Sequence, residues 1–352
     1  MSSFRTLVVN PGSTSTKLAL FTDDREDQAG ALKHPADILA AFPRVWDQYP
    51  MRVQAVREWM SGRAGELSAV VGIGGLFRPL QGGTYRVNDH MLSDAHANLQ
   101  GEHPSNLGCA IARAIADDHR CDAFVVDPVS VDEFEPLARY SGHPAISRAS
   151  LSHALNIHAA ARRAARERDI TLADSRFVVA HLGGGISIAP VRGGKIVDVN
   201  DASSDGPFSP ERTGGLPLQQ FITLCFSGKY SEEEVRRLVR GKGGLTAYLG
   251  TNSAEDVEKM ILSGNTAASE IYAAMTYQIA KEIGAMATVL DGHVNAIILT
   301  GGLASSSILV HAVTQRVQFI APVIVYPGED EMRSLALGAL RVLRGESQPC
   351  EY

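Results

Sequence analysis

LVVNPGSTSTKLAL (residues 7–20) and FVVAHLGGGISIAP (residues 177–190) are built to one design: an apolar strand, a turn of small residues, a second strand. The second copy begins close to half-way along the 352-residue chain. In the first, Pro11-Gly12 leads into four consecutive hydroxyls, Ser13, Thr14, Ser15 and Thr16, and then Lys17. In the second, three glycines, Gly183, Gly184 and Gly185, fill the turn. Taken alone, the first turn is either a hydrophilic hairpin or a cradle of small donors for phosphate. The repeat predicts two related halves, each opening on strand–turn–strand; chance likeness of two hairpins is the rival.

A chain of 352 residues, 45% of them hydrophobic, is long enough for two domains of about 150 residues or more. Its net charge of −6, with no dense basic stretch, argues against a nucleic-acid partner. The densest candidate, RRAARER (162–168), has helical spacing and an acid among its arginines, and reads as a solvated helix face. No apolar run approaches the ~20 residues that span a bilayer, so no membrane partner is expected. The N-terminus, MSSFRTLVV, runs into a strand-like segment with no signal-peptide core. Cys109, Cys121, Cys225 and Cys350 show no C-x-x-C spacing, which indicates reduced thiols in a cytoplasmic protein.

Elsewhere strands alternate with helices. RTLVVN (5–10), KLALF (17–21), LSAVVG (67–72), TYRV (84–87), DAFVVD (122–127), RFVVAH (176–181), ISIAPV (186–191), KIVDV (195–199), NAIILTGG (295–302) and APVIVYP (321–327) read as strands. The helical stretch 36–61 is interrupted by Pro43 and Pro50. Residues 105–119 read as a helix with Ser105 as its cap, and 150–168, 217–226, 231–239, 254–263, 267–290 and 331–344 as further helices. The longest carries Ile271, Met275, Ile279 and Ile283 on one face, a core stripe. This alternation predicts an α/β fold with mostly buried sheets.

LTGGLASSS (299–307) puts a third glycine turn, Gly301-Gly302, at the end of a strand. Glycine lets backbone N–H groups converge on an anion and leaves no Cβ in a ligand's way. Three such turns at strand ends point to a nucleotide. A P-loop does not hold it, since no G-x-x-x-x-G-K-[ST] occurs. GIGGLF (72–77) follows a strand, but Phe77 occupies the third glycine position of a dinucleotide fingerprint.

The sequence resembles the acetate and butyrate kinases of the sugar kinase/Hsp70/actin superfamily, and most closely the butyrate kinase branch. The resemblance spans essentially the whole chain. It is carried by VVNPGSTSTKLALF, LFRPLQGGTYRVND, GEHPSNLGCAIA, FVVDPVSVDEF, SHALNIHAAARRAA, VVAHLGGGISIAPVRGGKIVDVND, DGPFSPERTGGLP, AYLGTNSAEDVEKMI, IILTGGLASSS and APVIVYPGEDEMRSLALGAL. DGPFSPER and YLGTN are the segments most particular to that branch. The resemblance implies two ribonuclease-H-like (actin-like ATPase) domains, residues 1–145 and 146–330, with a nucleotide cleft between them. A closing helix, about 331–352, would pack back on the first domain. The implied reaction is carboxylate + ATP ⇌ acyl phosphate + ADP, with Mg²⁺ and with butyrate or a related short or branched acid. A nucleotide-binding structural or regulatory protein without turnover is the alternative. A homo-oligomer, a dimer or larger, is implied as well.

Phosphoryl transfer to a carboxylate that is already ionised needs no general base, so cations and hydrogen-bond donors should dominate the site. By the same resemblance Arg212 in SPERTGG lies against the transferring phosphoryl group, His153 in SHALN supports the transition state, and Asp127 orients a neighbouring arginine. Asn10, Gly12, Ser13, Ser15 and Lys17 would form the first phosphate turn, His181, Gly183, Gly184 and Gly185 the second, and Gly301 and Gly302 the adenosine turn. Asn10 and Glu331 match positions of the Mg²⁺ shell, which suits an ion that keeps most of its waters. Plainer rivals stand beside these: a surface pair for Arg212, a structural role for His153, a strand end for His181, the hairpin's outer face for Lys17, a solvated acidic helix start for Glu331. His103 and Asn106 in GEHPSN resemble the acyl pocket, with helix capping as the rival. One departure stands out. The family arginine of GRGG, expected to bind the substrate carboxylate, is here Ile73 in Gly72-Ile73-Gly74-Gly75. Arg86 is the candidate partial substitute.

Overall fold

The computed structural model describes residues 3–63 and 65–352. They form two compact units: one runs to Asp132 and regains Asp330–Tyr352, and the other is Glu133–Glu329.

In the first unit β1 (Arg5–Pro11), β2 (Ser15–Thr22), β3 (Arg25–Lys33), β4 (Ala69–Ile73), β5 (Thr84–Arg86) and β6 (Asp122–Val126) make one sheet, ordered β3-β2-β1-β4-β6-β5. β1 to β3 are an antiparallel meander, and β4 and β6 run parallel to β1. The central strands are apolar on both faces because both faces are covered. Leu7, Val9, Leu18, Val70 and Val125 share a core with the helices Tyr49–Met60 and Leu107–His119. The helix Glu331–Leu343 lies across β1, β4 and β6, so close that a Cβ on Gly338 would collide with Val126. Gly72 and Gly108 let the helix Leu107–His119 and β4 approach just as tightly, for a Cβ on either would strike the other's backbone segment. The glycines of GIGG are thus a packing seam.

In the second unit β7 (Tyr140–His143) and β8 (Ile146–Ser147) form a two-stranded sheet with each other. β9 (Arg176–Leu182), β10 (Ile186–Arg192), β11 (Lys195–Ile196), β12 (Ala296–Gly301) and β13 (Val323–Pro327) make a sheet ordered β11-β10-β9-β12-β13. β9 is antiparallel to its hairpin partner β10 and parallel to β12, which is parallel to β13. Strand order and directions repeat those of the first unit, so the repeated sequences are the β1–β2 and β9–β10 hairpins. This is the ribonuclease-H-like arrangement, twice over. Met275, Ile279 and Ile283 of the helix Thr266–Val289 are fully buried, and Ile271 packs on the same cluster.

Several details depart from expectation. The expected boundary after residue 145 falls later than the observed one. Residues beyond Asp132 are stitched to the second sheet: the Glu133 carboxylate accepts the Ile196 N–H at 2.8 Å, and the Glu135 N–H donates to the Val197 carbonyl at 3.0 Å. β3 has no strand periodicity, because REDQAGALK is polar and lies largely exposed at the sheet edge. Ser105 caps no helix; it sits in a 3-10 turn, Pro104–Asn106, whose N-cap is His103. Among the described residues no helix is long and apolar enough to cross a membrane.

Candidate functional site

The turn between β9 and β10 is closed by the Gly183 N–H donating to the Gly185 carbonyl at 3.1 Å. Gly185 leaves room for the Arg212 guanidinium, which a Cβ there would displace. Arg212 is held by its Nη1–H donating to the Ala202 carbonyl at 2.9 Å, while its Nε is buried with no hydrogen-bond partner among the described residues. Burial, with the Arg240 charge adding to it, pulls its pKa below the usual arginine value. The segment carrying Arg212 is fastened to the turn by Ser209, whose hydroxyl donates to the Gly184 carbonyl at 2.6 Å.

His153, just before the helix Ala154–Glu167, stacks on His181 of β9, with ring centroids 4.2 Å apart and planes 27° from parallel. Its Nδ1 lies 2.9 Å from the hydroxyl of Ser187, the residue that pairs with His181 across the β9–β10 ladder. Burial, then the His181 and Arg212 charges, holds His153 well below the ordinary histidine pKa, so its ring is neutral. His181 is fully buried, and neither ring nitrogen has a hydrogen bond among the described residues; Nε2 lies 3.4 Å from a Glu329 carboxylate oxygen. The structure therefore brings together His153, His181, Gly183 to Gly185 and Arg212.

At the end of β12 Gly301 has φ +91°, and a Cβ on it would collide with Leu182. The next residue, Gly302, opens a 3-10 turn. A cavity of about 380 Å³ joins this turn to the second glycine turn, lined by Gly183, Gly184, Glu211, Asn252, Gly302 and Glu329 among others. That volume lies within the range of small-molecule sites. Glu211 and Asn252 lie in DGPFSPER and YLGTN, which the sequence reading singles out as segments without giving either residue a role, and Ser187 and Glu329 have no assigned role there either.

In the first unit the Gly12 N–H donates to the Ser15 carbonyl at 2.7 Å, closing the β1–β2 turn that carries Ser13. Asn10 pairs with Lys17 in register, which puts both side chains on one face of the sheet. The Asn10 amide donates to Glu331 at 2.8 Å, and Lys17 is exposed. One carboxylate and one amide suit outer contacts to a hydrated Mg²⁺. Among the described residues no cluster of three or more His, Cys, Asp or Glu is placed to hold a metal directly. Asp127, buried at the end of β6 with φ +39°, accepts the Gly83 N–H at 2.7 Å.

The three substrate candidates fare differently. Asn106 is buried and fully engaged: its Oδ1 accepts the Leu76 N–H at 2.8 Å, and its amide donates to Asn98 at 2.8 Å and the Gly101 carbonyl at 3.1 Å. These bonds make it a clamp between the loops that carry Leu76, Asn98 and Gly101. Arg86 is engaged as well. β5 runs antiparallel to β6, so Arg86 stands opposite Phe124, and its guanidinium pairs with Asp122 at the strand end remote from Asp127. His103 is exposed, with Nδ1 accepting the Ser105 N–H at 3.2 Å, the capping role. Ile73 is 9% exposed at the end of β4.

Residues 152–324 match the model of the acetokinase family. A probable butyrate kinase 2 of Caldanaerobacter subterraneus subsp. tengcongensis is 51% identical over 352 residues, covering 99% of each chain. The chain belongs to the acetokinase family. Butyrate kinase 2 of Clostridium acetobutylicum is 47% identical over 353 residues, again covering 99% of each chain. Among solved structures, acetate kinase of Porphyromonas gingivalis superposes with a TM-score of 0.79 at 17% identity, covering 97% of this chain and 100% of that one. That last likeness is one of fold.

Proposed function

We propose that the protein is a short-chain carboxylate kinase, transferring a phosphoryl group reversibly between ATP and butyrate, or a related short or branched acid, to give an acyl phosphate and ADP. The observation that carries this reading is Arg212, a guanidinium seated against Gly185 of a glycine turn with a buried, unpartnered Nε. A planar fork of donors suits a phosphoryl group in transfer, whose charge spreads over its equatorial oxygens. ATP would lay its phosphates along Gly183 to Gly185 and its nucleoside toward Gly301 and Gly302. His153, neutral, would give a hydrogen bond rather than a charge, and His181 fixes its ring by stacking. The acid arrives ionised, so no residue has to remove a proton.

The first unit supplies a phosphate turn of its own in Gly12 to Ser15, with Lys17 beside it. Asn10 and Glu331 would hold Mg²⁺ through its waters, and Asp127 would act as a positioning group. When bound, Mg²⁺ neutralises phosphate charge. Ile73, where the family arginine is expected, favours an apolar acyl chain over acetate. The four cysteines are free, which supports a cytoplasmic site of action. Leu218, Ile222 and Phe226 stand exposed together, which supports a homo-oligomer. The test is ATP- and Mg²⁺-dependent formation of acyl hydroxamates from a panel running from acetate to branched five-carbon acids. Butyrate-sized acids should exceed acetate; no product from any acid at saturating ATP contradicts the reading.

A further inference from the structure

Beneath the β1–β2 turn lies a group outside the machinery described so far. Arg52, on the helix Tyr49–Met60, is 0% exposed. All five of its N–H groups are used, and every acceptor is neutral. Nε and one Nη2 hydrogen go to the Gln48 side-chain oxygen at 3.1 and 2.9 Å. Nη1 donates to the Ser15 carbonyl at 3.2 Å and the Thr16 hydroxyl at 3.1 Å, and Nη2 reaches the Ser13 carbonyl at 3.4 Å. The Thr16 hydroxyl lies 2.9 Å from Nε2 of His34. Burial lowers the Arg52 pKa to about 10, so the group remains charged at neutral pH. No carboxylate among the described residues pairs with it.

A buried cation without an anion is costly, and natural proteins pair such charges. Here the charge sits directly behind the turn that carries Ser13 and Ser15, and it draws both of their carbonyls inward. In a trans peptide the N–H points opposite to the carbonyl, so the bond to the Ser13 carbonyl turns the Thr14 N–H away from Arg52. We propose that Arg52 is the positioning residue of this turn, shaping its backbone and supplying from behind the positive potential that a bound phosphate chain completes. This rests on the nucleotide reading above and adds a residue and a charge to it. A purely structural Arg52 would need only its five hydrogen bonds; the absence of a carboxylate is what the anion role explains.

The sharpest test leaves Arg52 in place. Gln48→Glu is nearly isosteric and gives the guanidinium the carboxylate it lacks, so the fold should hold or gain thermal stability. Affinity for ATP, measured by calorimetry, should nevertheless fall about tenfold, as one charge near a polyanion is neutralised. Affinity for adenosine, which has no phosphate, should not change. Arg52→Lys keeps the charge and loses most of the bonds, and should bind ATP more tightly than Arg52→Gln does. Unchanged ATP affinity in folded Gln48→Glu overturns the proposal alone, as does an equal loss for ATP and adenosine. A wild-type protein that binds no ATP overturns the nucleotide reading and this proposal together. Should Arg52→Gln not fold, Gln48→Glu against wild type decides the matter.

Discussion

At the level of single residues, the proposed site rests on what each side chain touches. Arg212 lies against a glycine that leaves room for it, and its Nε has no hydrogen-bond partner among the described residues. Replacing it with alanine should lower kcat by ~10³-fold or more with little change in nucleotide KM, because its contact forms mainly in the transition state. Lysine should rescue poorly, since it has no planar fork. Steady-state kinetics on both variants would show this; an alanine variant with most of its kcat would return Arg212 to the loop surface. Asn106 makes the opposite case. Asn106→Ala leaves the Leu76 N–H without its acceptor and should cost about 1–3 kcal/mol of stability in denaturant melts. The KM for the acid should stay within a few-fold. A large rise in that KM at unchanged stability would put Asn106 back in the acyl pocket.

Elements explain why some of this was legible and some not. The two hairpins could be read from their repeat, because strand, small-residue turn and strand are local patterns. The buried stripe of the helix Thr266–Val289 could be read for the same reason. β3 could not, since an exposed polar edge strand is defined by its pairing with β2 and not by its own side chains. The pairing of Arg86 with Asp122 could not be read either, because nearness in sequence says nothing of strand direction. Arg52 was invisible in a helical stretch, where one more arginine reads as surface. Gly72 and Gly108 belong to this scale too, as the seam between β4 and the helix Leu107–His119. Gly108→Ala forces the helix off the strand and should destabilise the protein by about 1–3 kcal/mol. Thermal melts check it; an unchanged Tm would mean that the seam has slack.

For the whole molecule, two histidines make stability depend on pH. Burial holds His153 well below the ordinary histidine value, and burial with the Arg52 charge lowers His34. The unfolded chain takes up protons at these positions near pH 6.5, where the native protein does not. The unfolded state thus binds more protons in that window. Stability is full above about pH 6.5 and is lost as pH falls toward the native values. Tm should decline from pH 7.5 to 5.5, and His153→Asn should flatten that decline; an unaltered slope would contradict the neutral ring. The repeat of one fold in both halves, and membership of the acetokinase family, were both within reach of the sequence. The charges that work the site were less so, since Glu211, Glu329 and Arg52 acquire meaning only from what the fold packs beside them. The central claim is that a phosphoryl group passes from ATP to a short carboxylate at Arg212. ³¹P NMR of the protein with ATP, Mg²⁺ and butyrate tests it most directly. An acyl phosphate resonance should grow with ADP, and should be nearly absent in Arg212→Ala, which still binds ATP. ADP with inorganic phosphate alone, or acyl phosphate formed at the wild-type rate by Arg212→Ala, would contradict it.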